Sequence, residues 1–322
     1  MTTRSTIKYI TAGLLLAVFA IHLSAQEVNN SLAAYMRMGI GARIIAMGEA
    51  GSTVTKDVAS GYWNPAGLMM MKDFEVGTML NVAMDNDRSY QYVAIGNRFG
   101  IGALSISWIN AGVSDIDGFD ESGQPTGTFS DQEHNFSLSY ANRIGRFSFG
   151  VTPKFYLSSM DGETETGYGI DTGIKVDLSQ YFEIGVMARD VYGKYGEEEE
   201  KVPYELSGGL ALYPILGLTI AADAKMEEEE DPYFCFGAEY WTAIGSDTEA
   251  DSKLSVVSMG EKSSWANVLS DVQTGLRIGY NREKFSVGTG VRFRNLQLDY
   301  VFRLNNHDIF GDDHIVSLIL RF

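Results

Sequence analysis

The chain has 322 residues, of which 45% are hydrophobic and 21% charged, with 35 Gly, 6 Pro, a single Cys and a formal net charge of −17. That acidity counts against phosphate or nucleic-acid partners, and the lone Cys235 rules out an internal disulfide. No run of eighteen apolar residues follows the first 25, which leaves no transmembrane helix beyond them. Many Gly and few Pro predict a large all-β domain with many tight turns.

Residues 1–25 read as a secretory signal peptide. Arg4 and Lys8 supply a positive start, Tyr9 to Leu23 an apolar run, and Ser24 and Ala25 a small-residue cleavage site before Gln26. Cleavage near Ala25 removes those two cations and no acid, so the formal net charge moves from −17 to −19. An exported chain without disulfides must be held by burial or by hydrogen-bonded closure.

Residues 26–72 differ from everything that follows. The stretch from Gly39 to Leu68 is rich in Gly and small residues and ends in Tyr62-Trp63-Asn64-Pro65-Ala66-Gly67-Leu68. Such a stretch cannot bury enough surface to fold by itself. It is expected to be a plug or hatch inside a barrel, held by Arg43, Asp57, Trp63, Asn64, Pro65 and Gly67. Tyr62, Met69, Met70 and Met71 are candidate soft contacts for a hydrophobic ligand, thioethers being adaptable and polarisable; packing of the plug is the plainer reading of the three methionines. Gly39-x-Gly41 is no nucleotide loop, because no βαβ pattern follows it.

From 73 to 322 the apolar period is close to two. Phe147, Phe149, Val151, Pro153, Phe155 and Leu157 share one face against Ser148, Gly150, Thr152, Lys154, Tyr156 and Ser158. The same split recurs around Val186, Leu210, Leu276 and Val287. Fourteen strands are expected, at 73–84, 89–99, 101–111, 132–143, 147–158, 166–177, 182–191, 203–213, 216–226, 233–243, 271–280, 284–294, 296–304 and 313–322. Most run to roughly ten to twelve residues, the length a tilted membrane strand needs. The polar faces carry Asp171, Lys175, Arg189, Asp223, Lys225, Glu239, Arg277, Arg292, Arg294, Asp299 and Arg303. Opposite charges enclosed in one wet lumen can pair, while lipid covers the apolar faces; closure also removes the sheet edges that an open sheet would expose.

The fold class is therefore an all-β, transmembrane antiparallel barrel of about fourteen strands with an N-terminal plug. Short turns at Gly100, Gly145, Ser179-Gln180, Pro214 and Asn295 alternate with longer acidic loops near 112–131, 159–165, 192–202, 227–232 and 305–312. That asymmetry assigns the short turns to the periplasm and the loops to the outside. Residues 244–270 break the rule as a long connection on the short-turn side, with a short helix expected around Ser264 to Leu269. Little in the chain suggests chemistry. His134, His307 and His314 have no nucleophile setting, the runs Glu197 to Glu200 and Glu227 to Asp231 match no calcium loop, and no enzyme activity, metal or cofactor is expected.

Gly39, Gly41, Ala42, Arg43, Ala46, Met47, Gly48, Asp57, Ala59, Ser60 and Trp63 to Leu68, together with Asn295 to Tyr300 and His314 to Phe322, give a pattern that resembles the PorV/PorQ family, a branch of the FadL-like outer-membrane barrels. The terminal strand, with Leu318, Leu320 and the aromatic Phe322, is similar to the signal read by the barrel assembly machinery. The resemblance implies an outer-membrane protein of a Gram-negative bacterium that serves type IX secretion. It would bind the large translocon and secreted proteins bearing a C-terminal signal domain, and shuttle that cargo to the surface. Exposed Phe119, Phe129 and Phe310 on the outward loops are the candidate docking residues, with lipid around the barrel. The alternative is a FadL-like channel for hydrophobic compounds such as long-chain fatty acids, with the plug as a movable hatch. The bracketing motifs favour the secretion reading.

Overall fold

A computed structural model describes residues 33–82, 88–243, 271–282, 284–305 and 311–322. The expected signal peptide, the connection 244–270 and Phe310 lie outside the described residues. The N-terminal part is short helical turns: a 3-10 turn at Ala34–Arg37, helix α1 at Ala42–Ala46, helix α2 at Ser60–Trp63 and a second 3-10 turn at Pro65–Met70. Strands follow: β1 Phe74–Asn81, β2 Arg88–Phe99, β3 Gly102–Phe119, β4 Pro125–Ile144, β5 Phe147–Met160, β6 Glu163–Ser179 and β7 Phe182–Tyr195. After the two-residue β8 Glu200–Lys201 come β9 Glu205–Leu212, β10 Leu218–Glu227, β11 Tyr233–Ala243, β12 Val272–Asn281, β13 Lys284–Phe293, β14 Leu296–Leu304 and β15 Asp313–Arg321.

Every long strand pairs antiparallel with its two neighbours, and β1 closes onto β15 in register from Glu75 opposite Arg321 to Asn81 opposite Ile315. The result is a closed fourteen-stranded antiparallel barrel, with β8 as a small extension on β7. Phe74 and Phe322 stack across the closing seam with ring centres 5.6 Å apart.

Alternation within each strand sorts the side chains. Phe147, Phe149, Val151 and Phe155 face outward and are exposed, while Ser148, Thr152, Lys154 and Tyr156 are buried inside. Val316, Leu318 and Leu320 point outward on β15, where Ile315, Ser317 and Ile319 are buried. Exposed Phe99, Phe147, Tyr181 and Phe322 ring the short-turn end, and Tyr168, Tyr192, Phe234 and Phe236 ring the other. Outward apolar strands between two aromatic bands are the surface a bilayer requires.

The outward loops differ from the sequence expectation. Most of 112–131 is strand: β3 and β4 run on together, through a bulge between Val113 and Ile116, to a tight turn at Asp120–Gln124. The Asp120 carboxylate accepts from the amides of Ser122 and Gln124, both at 2.8 Å, and closes that turn. With 18 and 20 residues, these strands exceed the roughly ten that lipid needs, so their hairpin stands clear of the membrane. Segments 159–165 and 192–202 are likewise mostly strand or tight turn. Alternation had been lost there because neither face is packed, so the backbone ladder continues where the apolar period stops.

Candidate functional site, the plugged lumen

The inner wall is charged, and most of its charges are paired. Lys154 bridges Asp171 at 2.6 Å and Asp190 at 2.8 Å, Arg189 meets Glu205 at 3.3 Å, and Arg303 meets Asp313 at 2.7 Å. Arg277 joins Glu239 at 2.7 Å and Asp299 at 2.8 Å. Of the charges expected in the lumen, Arg294 is the exception. It sits in the turn after β13, largely exposed, 3.5 Å from Asp271. Four of the loop acids are held by cations: Glu199 by Lys194, Glu228 by Lys201, and Glu227 and Glu230 by Arg282.

The plug folds from local signals. Gly48, at φ +62°, turns the chain out of α1. The Asp57 carboxylate accepts from the Ala59 amide at 3.0 Å as the chain enters α2. Asn64 caps the next turn, its side-chain oxygen accepting from Ala66 N at 3.1 Å, with Pro65 at the first position, where its missing N–H costs nothing. Ile40, Ile44, Ile45, Val54, Val58, Trp63 and Leu68 are all buried, and Gly51 lets Trp63 and Ile44 close over it. These side chains form one buried apolar cluster with Met79, Tyr92, Ile109 and Ile315 of the wall.

Polar contacts between plug and wall surround that cluster. Arg43 donates from Nε and Nη2 to both oxygens of Glu239, at 2.8 and 2.7 Å, a two-pronged pairing. Lys56 meets Glu183 at 2.6 Å, and Glu49 accepts from Arg303 at 2.9 Å and from Asn281 at 2.7 Å. Asn64 Nδ2 donates within the plug to Ser52 O at 2.8 Å and reaches the wall carbonyls of Ile174 and Val186, each at 3.3 Å. Elsewhere plug backbone lies directly on wall glycines. A β-carbon at Gly150 would fall 2.5 Å from Pro65, one at Gly185 2.6 Å from Ser52 O, and ones at Gly237 and Gly279 would collide with Met47 and Gly48. These glycines, which the sequence placed within strands, are therefore inward-facing contact points.

Arg43, Asp57, Trp63, Asn64, Pro65 and Gly67 all lie buried or half-buried in this segment. Gly67 packs where a side chain would meet Thr55 O at 2.6 Å. Tyr62 and Trp63 line neither of the two spaces described below. Burial pushes the Tyr62 hydroxyl above its ordinary pKa; it donates to Met36 O at 2.6 Å and accepts from Gly39 N at 3.2 Å. Their rings instead carry wall cations, Arg189 at 4.4 Å over Tyr62 and Lys225 at 4.9 Å over Trp63. Met71 is buried beside Gly96, Met69 is half-buried, and Met70 offers its sulfur to Arg143 at 3.2 Å. Phe119 is exposed on the projecting hairpin, and Phe129 lies half-buried on the opposite strand.

Among the described residues, two spaces beside the plug bear on its function. A small one of about 20 Å³ lies between Ile44, Val58 and Ala59 of the plug and Gly77, Tyr92 and Ile319 of the wall. A larger one of about 270 Å³ lies at the short-turn end, lined by Arg43, Lys56, Lys72, Arg292, Arg294 and Arg321 with Asp57 and Glu75. Sequence reading did not assemble that second group. Its members come from the plug, the entry to β1, and the ends of β13 and β15, so only barrel closure brings them together.

No protein-family model matches the chain, and no curated protein matches it by sequence. Solved structures do match in fold. The Pseudomonas putida toluene transporter TodX is 12% identical, with a TM-score of 0.59 over 88% of this chain and 98% of that one. The CymD monoaromatic hydrocarbon channel is 11% identical at a TM-score of 0.57, and the Ralstonia pickettii toluene transporter TbuX 13% at 0.56, with the same coverage. These likenesses establish a FadL-like barrel fold; the finer likeness to PorV/PorQ rests on the sequence motifs alone.

Proposed function

We propose that this chain is an outer-membrane channel for small hydrophobic compounds, with the plug as its movable gate. The observation that carries the reading is how the plug is made. Its apolar residues, among them Ile40, Ile44 and Val58, share one buried cluster with Met79, Tyr92 and Ile315 of the wall, and around that contact the plug meets the wall through ion pairs, hydrogen bonds and bare glycine backbone. Water can replace those polar contacts as the plug shifts, at a net cost of about 1.5–3 kcal/mol for each bond to a charged group. The small space beside Val58, Tyr92 and Ile319 has room for about one water, so an apolar solute passes along this seam only when the plug moves away from the wall. The structural neighbours support this assignment, being a toluene transporter and a monoaromatic hydrocarbon channel by description. The aromatic-banded outer face and the export signal support placement in the outer membrane of a Gram-negative cell.

A second reading, docking of secretion cargo or the type IX translocon, draws on the hairpin of β3 and β4, which carries Phe119 at 64% exposure into solvent. Initial uptake of labelled toluene and of a labelled long-chain fatty acid, in cells lacking their own hydrophobic-compound channels, separates the two. The channel predicts a saturable rise on expression. Unchanged uptake, with a very large barrel or secreted proteins sharing a C-terminal domain recovered on the purified chain, would replace it with the docking reading.

A further inference from the structure

The cavity at the short-turn end is opposite in sign to the protein around it. Six cations line about 270 Å³ against two acids, Asp57 and Glu75, in a chain of net charge −17. Part of this charge is balanced elsewhere: Arg43 by Glu239, Lys56 by Glu183, Arg321 by Glu75 at 3.2 Å and the exposed Arg294 by Asp271. Arg292 is different. Among the described residues it has no carboxylate partner; it donates only to amide oxygens, to Gln297 at 2.9 and 3.2 Å and to Gln273 at 3.2 Å, and lies 4.3 Å over the Trp241 ring. Lys72, at the mouth, likewise has no carboxylate partner among the described residues, and its side chain is exposed. A guanidinium held over an indole and fixed by two glutamines keeps N–H groups on its Nη atoms in a set orientation for a planar or tetrahedral oxyanion. Cations gathered in a walled recess also reinforce one another's field there, whatever the charge of the remaining surface.

We propose that this recess is an oxyanion site, taking a carboxylate or phosphate group between Arg292, Lys72 and Arg321 beneath the plug. It goes beyond the channel reading and does not depend on it. Because Lys72 ends the plug segment and Arg292 and Arg321 belong to the wall, a bound anion would bridge the two and tie plug position to anion occupancy.

The test is calorimetric titration of the full detergent-solubilised protein with inorganic phosphate, with octanoate and with uncharged octanol. Saturable binding of phosphate identifies a free-anion site, and binding of octanoate alone an amphiphile head-group site; either supports the proposal. Arg292→Gln and Lys72→Gln should each weaken the bound anion about tenfold or more, while Lys201→Gln, on β8 at the far end of the barrel, leaves it unchanged. Lys72→Gln alters an exposed side chain and keeps the comparison valid should Arg292→Gln fail to insert. Octanol binding as tightly as octanoate, equal affinities in all three variants, or no binding of either anion would overturn the site.

Discussion

Glu239 is the residue on which most of the plug's electrostatics converge. Its carboxylate takes two hydrogen bonds from Arg43 of the plug and one from Arg277 of the wall, and Arg277 continues to Asp299. A buried group of this type adds little net stability over an apolar packing of the same volume, but removing one member strands the others. Glu239→Ala should therefore destabilise the barrel by about 3–5 kcal/mol in urea unfolding from lipid vesicles. Arg43→Met, which removes the plug's side of the pair and leaves Glu239 to Arg277, should cost less and act mainly on the plug. Equal effects of the two would show that the bond from plug to wall carries no separate weight. At this scale the sequence was informative about type: the period of two placed Glu239, Arg277 and Asp299 in the lumen, and all three are buried there. It was silent about partners, because which cation meets which acid depends on the tilt and stagger of a closed barrel. Tyr62 shows the same limit. The sequence singled it out beside Met69 to Met71 but could not show that its hydroxyl is used within the plug and that its ring faces Arg189.

Strands were legible wherever one face meets lipid and the other the lumen, since burial then enforces alternation. They were not legible past the membrane, where β3 and β4 project with both faces wet. The role of the wall glycines was not legible for a related reason: glycine within a strand marks either a bulge or a site of close backbone approach, and only the folded barrel distinguishes them. Gly237 and Gly279 sit side by side on β11 and β12 under Met47 and Gly48. Gly279→Val should close the barrel normally but lift α1 off the wall. Heat-modifiable gel mobility would stay that of a folded barrel while protease gained access to the plug. A plug as protected in the variant as in the wild type would show that contact to be incidental.

For the whole molecule, the sequence determined the architecture well because closure and lipid exposure are global requirements that every strand satisfies at once. Its charge was a poorer guide, since a net value averages an acidic hairpin end with a cationic recess at the other. The lipid-facing surface makes a direct prediction. Leu276, 68% exposed near the middle of β12, faces outward. Leu276→Arg should cost about 2–4 kcal/mol in vesicle-refolded protein, falling towards zero for the same change near an aromatic band.

The central claim is that solute passes only when the plug moves. Val58 of the plug and Gly77 of β1 offer the means to test it, since a β-carbon at 77 would lie 2.7 Å from Val58 Cγ1. The native Cys235 is buried and should not interfere. With Val58→Cys and Gly77→Cys combined, toluene uptake should fall to background under oxidising conditions and return on adding a reductant, each single variant remaining insensitive to both. Uptake that continues at the reduced rate with the disulfide fully formed would contradict the account.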